Sequence, residues 1–185
     1  YKLSHAGINN SILNWIENFL TTRHQQVLLE GKTSAETPVT SGVPQGTVMG
    51  PLLFLLYIND MPEVVSSRVR LFADDAILYR EIKKPEDCVL LQKDIDALCE
   101  WERTWQMSFN AGKCHTMHVT HKITPLISEY KMGDDTLTAV NHHPYLGVEL
   151  SKDLTWAAHI NQISNKANRT LGLLRRNLYA CSQSV

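Results

Sequence analysis

The chain has 185 residues, of which 43% are hydrophobic and 20% are charged, so its composition excludes intrinsic disorder and allows a buried core. Its formal net charge is -1, so the whole chain lacks the basic signature of a nucleic-acid binder, although residues 151–185 hold five basic residues against one acidic residue. The four cysteines form no CxxC pair, which favours a reducing intracellular compartment, and the longest apolar run, residues 52–58, is too short to span a membrane.

Hydrophobic periodicity and turn residues predict a mixed succession of helices and strands. In chain order these are helix 11–20, strand 27–29, loop 42–46, helix 48–59, strands 68–72 and 76–79, helix 85–105, strand 114–120, strands 128–131 and 136–140, strand 145–150 and helix 156–178. Short, hairpin-connected strands among helices favour an α+β fold with an antiparallel sheet. A change from strand-rich to helical and basic sequence near Ser151 predicts two parts, residues 1–150 and 151–185.

Two Asp-Asp pairs occur in different settings. Asp74 and Asp75 interrupt an apolar run, so a tight turn between two buried strands would present both carboxylates at one end of a sheet. Such carboxylates repel unless a divalent cation such as Mg²⁺ joins them, and this arrangement serves phosphoryl transfer. A turn whose acids simply face water is the alternative. Asp134 and Asp135 follow Gly133 in polar surroundings, which is typical of a hairpin turn without chemistry.

Several ordered blocks then resemble one enzyme family. SGVPQGTVMGPLLF, at residues 41–54, is similar to motif B of reverse transcriptases, in particular those of LINE-type, jockey-like non-LTR retrotransposons. FADD, at residues 72–75, resembles motif C, and the region from Trp105 to Cys114 resembles motif D. YLGV, at residues 145–148, resembles the primer grip of motif E. The basic helix after residue 154 resembles the start of the thumb.

The resemblance implies a polymerase palm over residues 1–150 and the beginning of a thumb over residues 151–185. It implies an RNA-directed DNA polymerase that joins a dNTP to a DNA primer on an RNA template, with Mg²⁺, or Mn²⁺ in its place. Asp74 becomes the main metal ligand and Asp75 its weaker partner, and Phe72 packs beneath the primer end. Gln45 and Gly46 lie against the nascent base pair, where glycine permits close backbone approach.

The remaining implied roles lie further along the chain. Lys113 is the candidate general acid for departing pyrophosphate, with an exposed structural lysine as the alternative. Leu146 and Gly147 are candidates to hold the primer, with an ordinary packed strand as the alternative. Three basic residues are candidates for backbone phosphate contacts, or else form a solvated helix face: Lys166, Arg169 and Arg176. Nuclear action is implied by the resemblance alone, whereas the short apolar runs predict that no membrane is a partner.

The resemblance also leaves parts of the enzyme unaccounted for. In the family a further aspartate, in motif A, lies upstream of the helix that corresponds to residues 11–20, and the present chain begins at Tyr1, so we expect a fragment that lacks motif A and the fingers. We expect such a fragment to polymerise poorly by itself. A non-catalytic relic that still binds nucleic acid is one alternative, and a metal-dependent nuclease is a weaker one. Asp60 belongs to the end of motif B and is not expected to replace the missing aspartate.

A zinc site near Cys114 is disfavoured. His115, His118 and His121 follow this cysteine, but their spacing matches no standard finger, and strand alternation places His115 opposite Cys114.

Overall fold

A computed structural model describes residues 1–179, and the chain divides into an N-terminal unit, Tyr1–Arg80, and a C-terminal unit, Glu81–Val185. Both units combine helices with strands, which confirms the α+β class. Within residues 1–179 the strands pair only two by two, and five of these six pairs are antiparallel. No helix in the same range is long and apolar enough to cross a bilayer.

The N-terminal unit begins with two helices and an exposed ribbon. Helix α1 spans Lys2–His5 and α2 spans Asn10–Leu20, one residue longer than predicted. The ribbon pairs β1 with β4 and β2 with β3, with all eight of its strand residues exposed; its strands are His24–Gln25, Leu28–Leu29, Lys32–Thr33 and Thr37–Pro38.

Helix α3 and a hairpin complete this unit. Helix α3 spans Met49–Ile58 and is followed by a 3-10 helix over Met61–Val64. Strands β5 (Arg68–Phe72) and β6 (Asp75–Tyr79) form the antiparallel hairpin predicted at residues 68–79, and β5 packs against the 3-10 helix. The buried apolar residues of the unit come from four elements: Ile16, Leu53, Ile58, Met61 and Val69.

The C-terminal unit is built on helix α4, Pro85–Trp105. The Asp87 carboxylate accepts hydrogen bonds from the backbone N–H groups of Lys83 and Lys84, at 2.9 and 3.0 Å, and so satisfies donors at the start of the helix. The helix is terminated by the next residue, Gln106, whose backbone adopts the left-handed conformation. Its buried face supplies most of the core of this unit, with Ile95, Leu98, Cys99 and Trp101, and Tyr130 and Leu137 are buried as well.

Short strand pairs follow α4. Strand β8 (Lys131–Met132) pairs with β9 (Asp135–Thr136), while β7 (His115–Thr116) pairs in parallel with β10 (Thr138–Ala139). The Gln92 side chain accepts a hydrogen bond from the Lys131 N–H and donates one to the Lys131 carbonyl, which joins α4 to β8. The predicted strand at 114–120 is therefore two residues long, and the predicted strand 136–140 is divided between two pairs.

A second hairpin and the last helix end the described chain. Strands β11 (His142–Tyr145) and β12 (Val148–Ser151) are joined by a turn at residues 146–147, so the prediction of one strand over residues 145–150 was wrong. Helix α5, Ala157–Leu178, packs against β12. The division predicted at residue 150 falls inside β12 and stays a prediction.

Candidate active site

The first Asp-Asp pair lies at the tip of the β5–β6 hairpin. Phe72 pairs with Asp75 across the strands, which leaves Ala73 and Asp74 as a two-residue turn. Both aspartates are exposed, and Phe72 retains 61% of its accessible surface. The hairpin therefore presents two carboxylates and an aromatic ring together at its solvent end.

The turn itself is strained. Ala73 has a φ angle of 49°, in the left-handed region that costs a residue with a Cβ about 1–2 kcal/mol. Two-residue hairpin turns that need a positive φ usually place glycine or asparagine there. Strain of this kind concentrates at functional sites, where the surrounding structure holds it in place.

The chemistry of the two carboxylates fits a hard divalent cation, since Mg²⁺ prefers oxygen ligands and often takes only one or two from the protein. No cluster of three or more His, Cys, Asp or Glu side chains suited to a metal occurs within residues 1–179. Asp74 and Asp75 thus form a partial ligand set.

The loop that carries Gln45 and Gly46 is held by local contacts. Both predicted residues are exposed, and Gly46 has a φ angle of 81°. The Thr47 hydroxyl donates to the Pro44 carbonyl at 2.9 Å and accepts from the Gly50 N–H at 3.0 Å. A Cβ at Gly50 would lie 2.6 Å from the Pro44 carbonyl oxygen, so this position requires glycine for close packing.

Arg23 is a site residue that sequence reasoning missed. Its guanidinium donates to the Leu20 carbonyl at 2.9 Å and to the Gly42 carbonyl at 2.6 Å, with a longer bond of 3.3 Å to the Ser41 carbonyl. It therefore joins the end of α2 to the start of the loop that carries Gln45. The available signal was a lone arginine just after a helix, where cations bind terminal carbonyls.

Lys2 forms a second link that the sequence did not reveal. Its ammonium group donates to the Asp60 carboxylate at 2.7 Å and to the Tyr57 carbonyl, and lies 4.7 Å from the centre of the Tyr57 ring. Burial, and secondarily the Asp60 charge, raise the pKa of the Tyr57 hydroxyl. Asp60 thus has a structural partner within the N-terminal unit.

Three predicted site residues of the C-terminal unit precede helix α5 in the chain. Lys113 is exposed at the end of a 3-10 helix, Ala111–Lys113. Leu146 and Gly147 form the β11–β12 turn with φ angles of 48° and 81°, and Leu146 is 46% exposed. The turn therefore presents an apolar side chain in strained backbone, at a position where a strand was predicted.

The start of α5 is fixed to β12 by polar contacts. The Glu149 N–H donates to His159 Nδ1 at 3.3 Å, and the nearly buried Glu149 carboxylate contacts His142 Nδ1 at 3.1 Å. Beyond this anchor the three predicted phosphate-binding residues are all exposed: Lys166, Arg169 and Arg176. Their exposure is compatible both with phosphate contacts and with a solvated face.

Asp153 stabilises the connection between β12 and α5. Hydrogen bonds from the Ser151 hydroxyl, and then from the Thr155 N–H and hydroxyl, lower the pKa of the Asp153 carboxyl from 3.8 to about 2. The hydroxyl contacts are 2.6 and 3.0 Å long. These bonds favour the ionised carboxylate because each donates to it.

Asp134 and Asp135 occupy an ordinary hairpin turn, as predicted. Met132 pairs with Asp135, and Gly133 takes the first turn position with a φ angle of 62°. Both aspartates line a cleft of about 550 Å³ beside the end of α4.

Comparisons with known proteins agree with the motif assignments. The family model described as reverse transcriptase (RNA-dependent DNA polymerase) matches residues 1–150. The RNA-directed DNA polymerase from mobile element jockey of Drosophila funebris is 30% identical over 167 residues, which are 85% of this chain and 18% of that protein. The probable RNA-directed DNA polymerase from transposon X-element of Drosophila melanogaster is 31% identical over 157 residues, 82% of this chain and 17% of that protein.

The chain spans less than a fifth of the length of these curated relatives. No solved structure is significantly similar to it. Because the family model covers most of the chain, the resemblance to motifs B to E is confirmed at the level of the family. The chain belongs to the reverse transcriptase family, and its relatives are polymerases of non-LTR retrotransposons.

Proposed function

We propose that these residues form part of an RNA-directed DNA polymerase that transfers a nucleotide from a dNTP to a DNA primer on an RNA template. The observation that carries the proposal is the strained β5–β6 hairpin, with Asp74 and Asp75 exposed at its tip inside the region matched by the family model. In finer terms, residues 1–150 act as the palm and residues 151–185 as the beginning of the thumb, and the polymerase acts in the nucleus.

In this proposal Asp74 and Asp75 hold Mg²⁺, or Mn²⁺, together with a motif A aspartate supplied by polypeptide outside residues 1–185. A cation held there would stabilise negative charge on the attacking and leaving oxygens. The primer 3′ oxygen bonds to the α-phosphorus of the dNTP, the bond from that phosphorus to the bridging oxygen breaks, and pyrophosphate leaves. The 3′ hydroxyl proton passes to solvent, and Lys113 donates a proton to pyrophosphate.

The other predicted residues position the strands. Phe72 supports the primer end, Gln45 and Gly46 face the nascent base pair, and Leu146 with Gly147 holds the primer. The cations of α5 contact backbone phosphates and carry no base specificity, so binding through them weakens with salt. Arg23 acts indirectly, because it holds the start of the loop that carries Gln45.

The test is Asp74→Asn in the complete polymerase, assayed by extension of a DNA primer on RNA with Mg²⁺. We expect a loss of at least about 10²–10³-fold in rate, the scale on which removal of one electrostatic group slows an enzyme. Asp134→Asn is the matched control, since Asp134 has the same turn position in the β8–β9 hairpin. Full activity of Asp74→Asn would refute the assignment.

A second candidate is a non-catalytic relic that retains nucleic-acid binding, and the exposed cations of α5 favour it: Lys166, Arg169 and Arg176. The open reading frame upstream of Tyr1 separates the two. A frame that encodes fingers and a motif A aspartate supports the polymerase, while a stop codon or unrelated sequence supports the relic. Residues 1–185 alone are expected to extend a primer poorly, and robust extension by this chain alone would contradict the need for an outside carboxylate.

A further inference from the structure

One face of the β5–β6 hairpin is exposed along its length. Side chains alternate between the two faces of a strand, so Arg68, Arg70 and Phe72 share one face. Cross-strand pairing adds the partners of these three residues to the same face, namely Tyr79, Ile77 and Asp75. Five of the six are exposed and the other is half-buried.

The opposite face is directed inwards. Val69 is buried, and Leu71 and Leu78 are half-buried. Apolar contacts on that side fix which way the hairpin faces, because a one-residue slip would expose all of these side chains. The exposed face is therefore a defined surface of the N-terminal unit.

The composition of this face is typical of a surface that binds nucleic acid. It combines two guanidinium groups with two aromatic rings, and Phe72 and Tyr79 are 61% and 39% exposed. The guanidinium group binds phosphate through paired N–H donors, and exposed rings offer platforms for stacking. We refer to Arg68, Arg70, Phe72 and Tyr79 as the hairpin stripe.

The arginines of the stripe have free hydrogen-bonding capacity. Arg70 donates through Nη1 to the Val69 carbonyl at 3.2 Å, and within residues 1–179 neither Arg68 nor Arg70 forms an ion pair with a carboxylate. This holds although Asp75 lies diagonally across the hairpin from Arg70 on the same face. The exposed face thus carries negative charge at the turn, from Asp75, and positive charge further along β5, from Arg68 and Arg70.

We propose that the hairpin stripe binds the backbone of the DNA primer, with Arg70 and Arg68 contacting two phosphates that lie about two nucleotides apart behind the primer terminus. The inference rests on the proposed function, which places the 3′ end at the tip beside Asp74. A strand rises about 3.3 Å per residue, so the two arginines lie roughly 7 and 13 Å behind Phe72. At about 3.4 Å per nucleotide, these distances correspond to roughly two and four nucleotides.

The experiment measures binding of a primer–template duplex by the complete polymerase in the absence of Mg²⁺ and dNTP, over a range of salt concentrations. For Arg68→Ala/Arg70→Ala we expect the slope of log affinity against log salt to fall by about 2, because two phosphate contacts are lost. Arg68→Lys/Arg70→Lys keeps the charges and is expected to keep the slope. Lys83→Ala/Lys122→Ala removes the same charge from exposed sites elsewhere and is the control.

A neutral methylphosphonate linkage then identifies the strand. Placed two or four nucleotides behind the primer end, it should weaken binding by the wild type and have little further effect on the double alanine variant. The inference is overturned if the double alanine variant keeps the wild-type salt slope. It is also overturned if methylphosphonate linkages weaken binding only when they are placed in the template strand. A separate extension assay tests the proposed function. If the wild type extends a primer and Asp74→Asn does not, the proposed function stands whether or not the stripe binds the primer. If the wild type shows no extension activity, the proposed function itself is contradicted.

Discussion

The two Asp-Asp hairpins have the same register and differ in their setting. In each, the second aspartate pairs with the residue before the turn, Phe72 with Asp75 and Met132 with Asp135. The β5–β6 strands have five residues each, whereas β8 and β9 have two each. The dipeptide and its pairing are thus shared, so neither identifies a catalytic site.

The turn residue and the surroundings separate the two hairpins. Gly133 takes a positive φ without strain, while Ala73 takes one at a cost. An exposed ring and two arginines share a face with Asp75, whereas the second hairpin borders a cleft at the end of α4. A strained turn with recognition groups on its strands is the better indicator of function.

After the effect of Asp74→Asn itself, the largest expected effect comes from the second aspartate of each hairpin. Asp75→Asn in the complete polymerase should slow primer extension by about tenfold to 10²-fold, less than Asp74→Asn, because our proposal assigns Asp75 the weaker contact with the metal. Asp135→Asn should leave the rate within twofold of wild type. Steady-state extension with saturating dNTP measures both, and equal losses in the two variants would remove the distinction between the hairpins.

The next largest effect is expected on stability, from a substitution at Gly50, which packs against the loop that carries Gln45. Gly50→Ala should lower the free energy of unfolding by roughly 1–3 kcal/mol, since its Cβ overpacks against the Pro44 carbonyl oxygen at 2.6 Å. Gly172→Ala is the control, because a Cβ there meets nothing within 4 Å. Urea unfolding followed by circular dichroism measures both, and an undiminished stability of Gly50→Ala would show that the loop is not closely packed.

The turn residues can be exchanged to test the strain directly. Gly133→Ala should destabilise its hairpin by about 1 kcal/mol, because alanine is strained at positive φ. Ala73→Gly relieves the same strain but adds freedom to the unfolded chain, so its stability should change by less than about 1 kcal/mol. Chemical denaturation of both variants decides this, and a marked loss for Ala73→Gly would mean that Ala73 is not strained.

The smallest effect concerns Asp153 and is pH-dependent. Its folded-state pKa of about 2 lies below the ordinary value of 3.8, so its contribution to stability is full above about pH 4 and is lost as pH falls through about 2. Asp153→Ala should therefore melt below wild type at pH 7, and the difference should shrink as pH falls and vanish below about pH 2. Ser151→Ala should raise the Asp153 pKa, measured by NMR titration, and an unchanged pKa would contradict the hydrogen-bond assignment.

Local patterns predicted much of this molecule. The four long helices begin and end within one or two residues of the predicted bounds, because their periodicity is strong, and the hairpin at Asp74 followed from two apolar runs around a polar break. The turn at Leu146 was missed because leucine rarely adopts positive φ and therefore gives no turn signal.

Features that depend on distant residues were not predictable. The strand at His115 is set by pairing with Thr138, more than twenty positions away, which no local window contains. The contacts of Arg23 and Lys2 join residues 19 and 58 positions apart in the chain. Motif matching found the candidate ligands of the site, whereas these supporting side chains required the structure.

The central claim is that the β5–β6 hairpin, and not the β8–β9 hairpin, is the metal-binding pair. Paramagnetic Mn²⁺ added to residues 1–185 tests it directly, since it broadens NMR signals of nearby amides even when binding is weak. We predict selective broadening of the amides of residues 73–76, which Asp74→Asn reduces, with those of residues 133–136 affected much less. Equal broadening at the two turns, or preferential broadening at Asp134 and Asp135, would contradict the account.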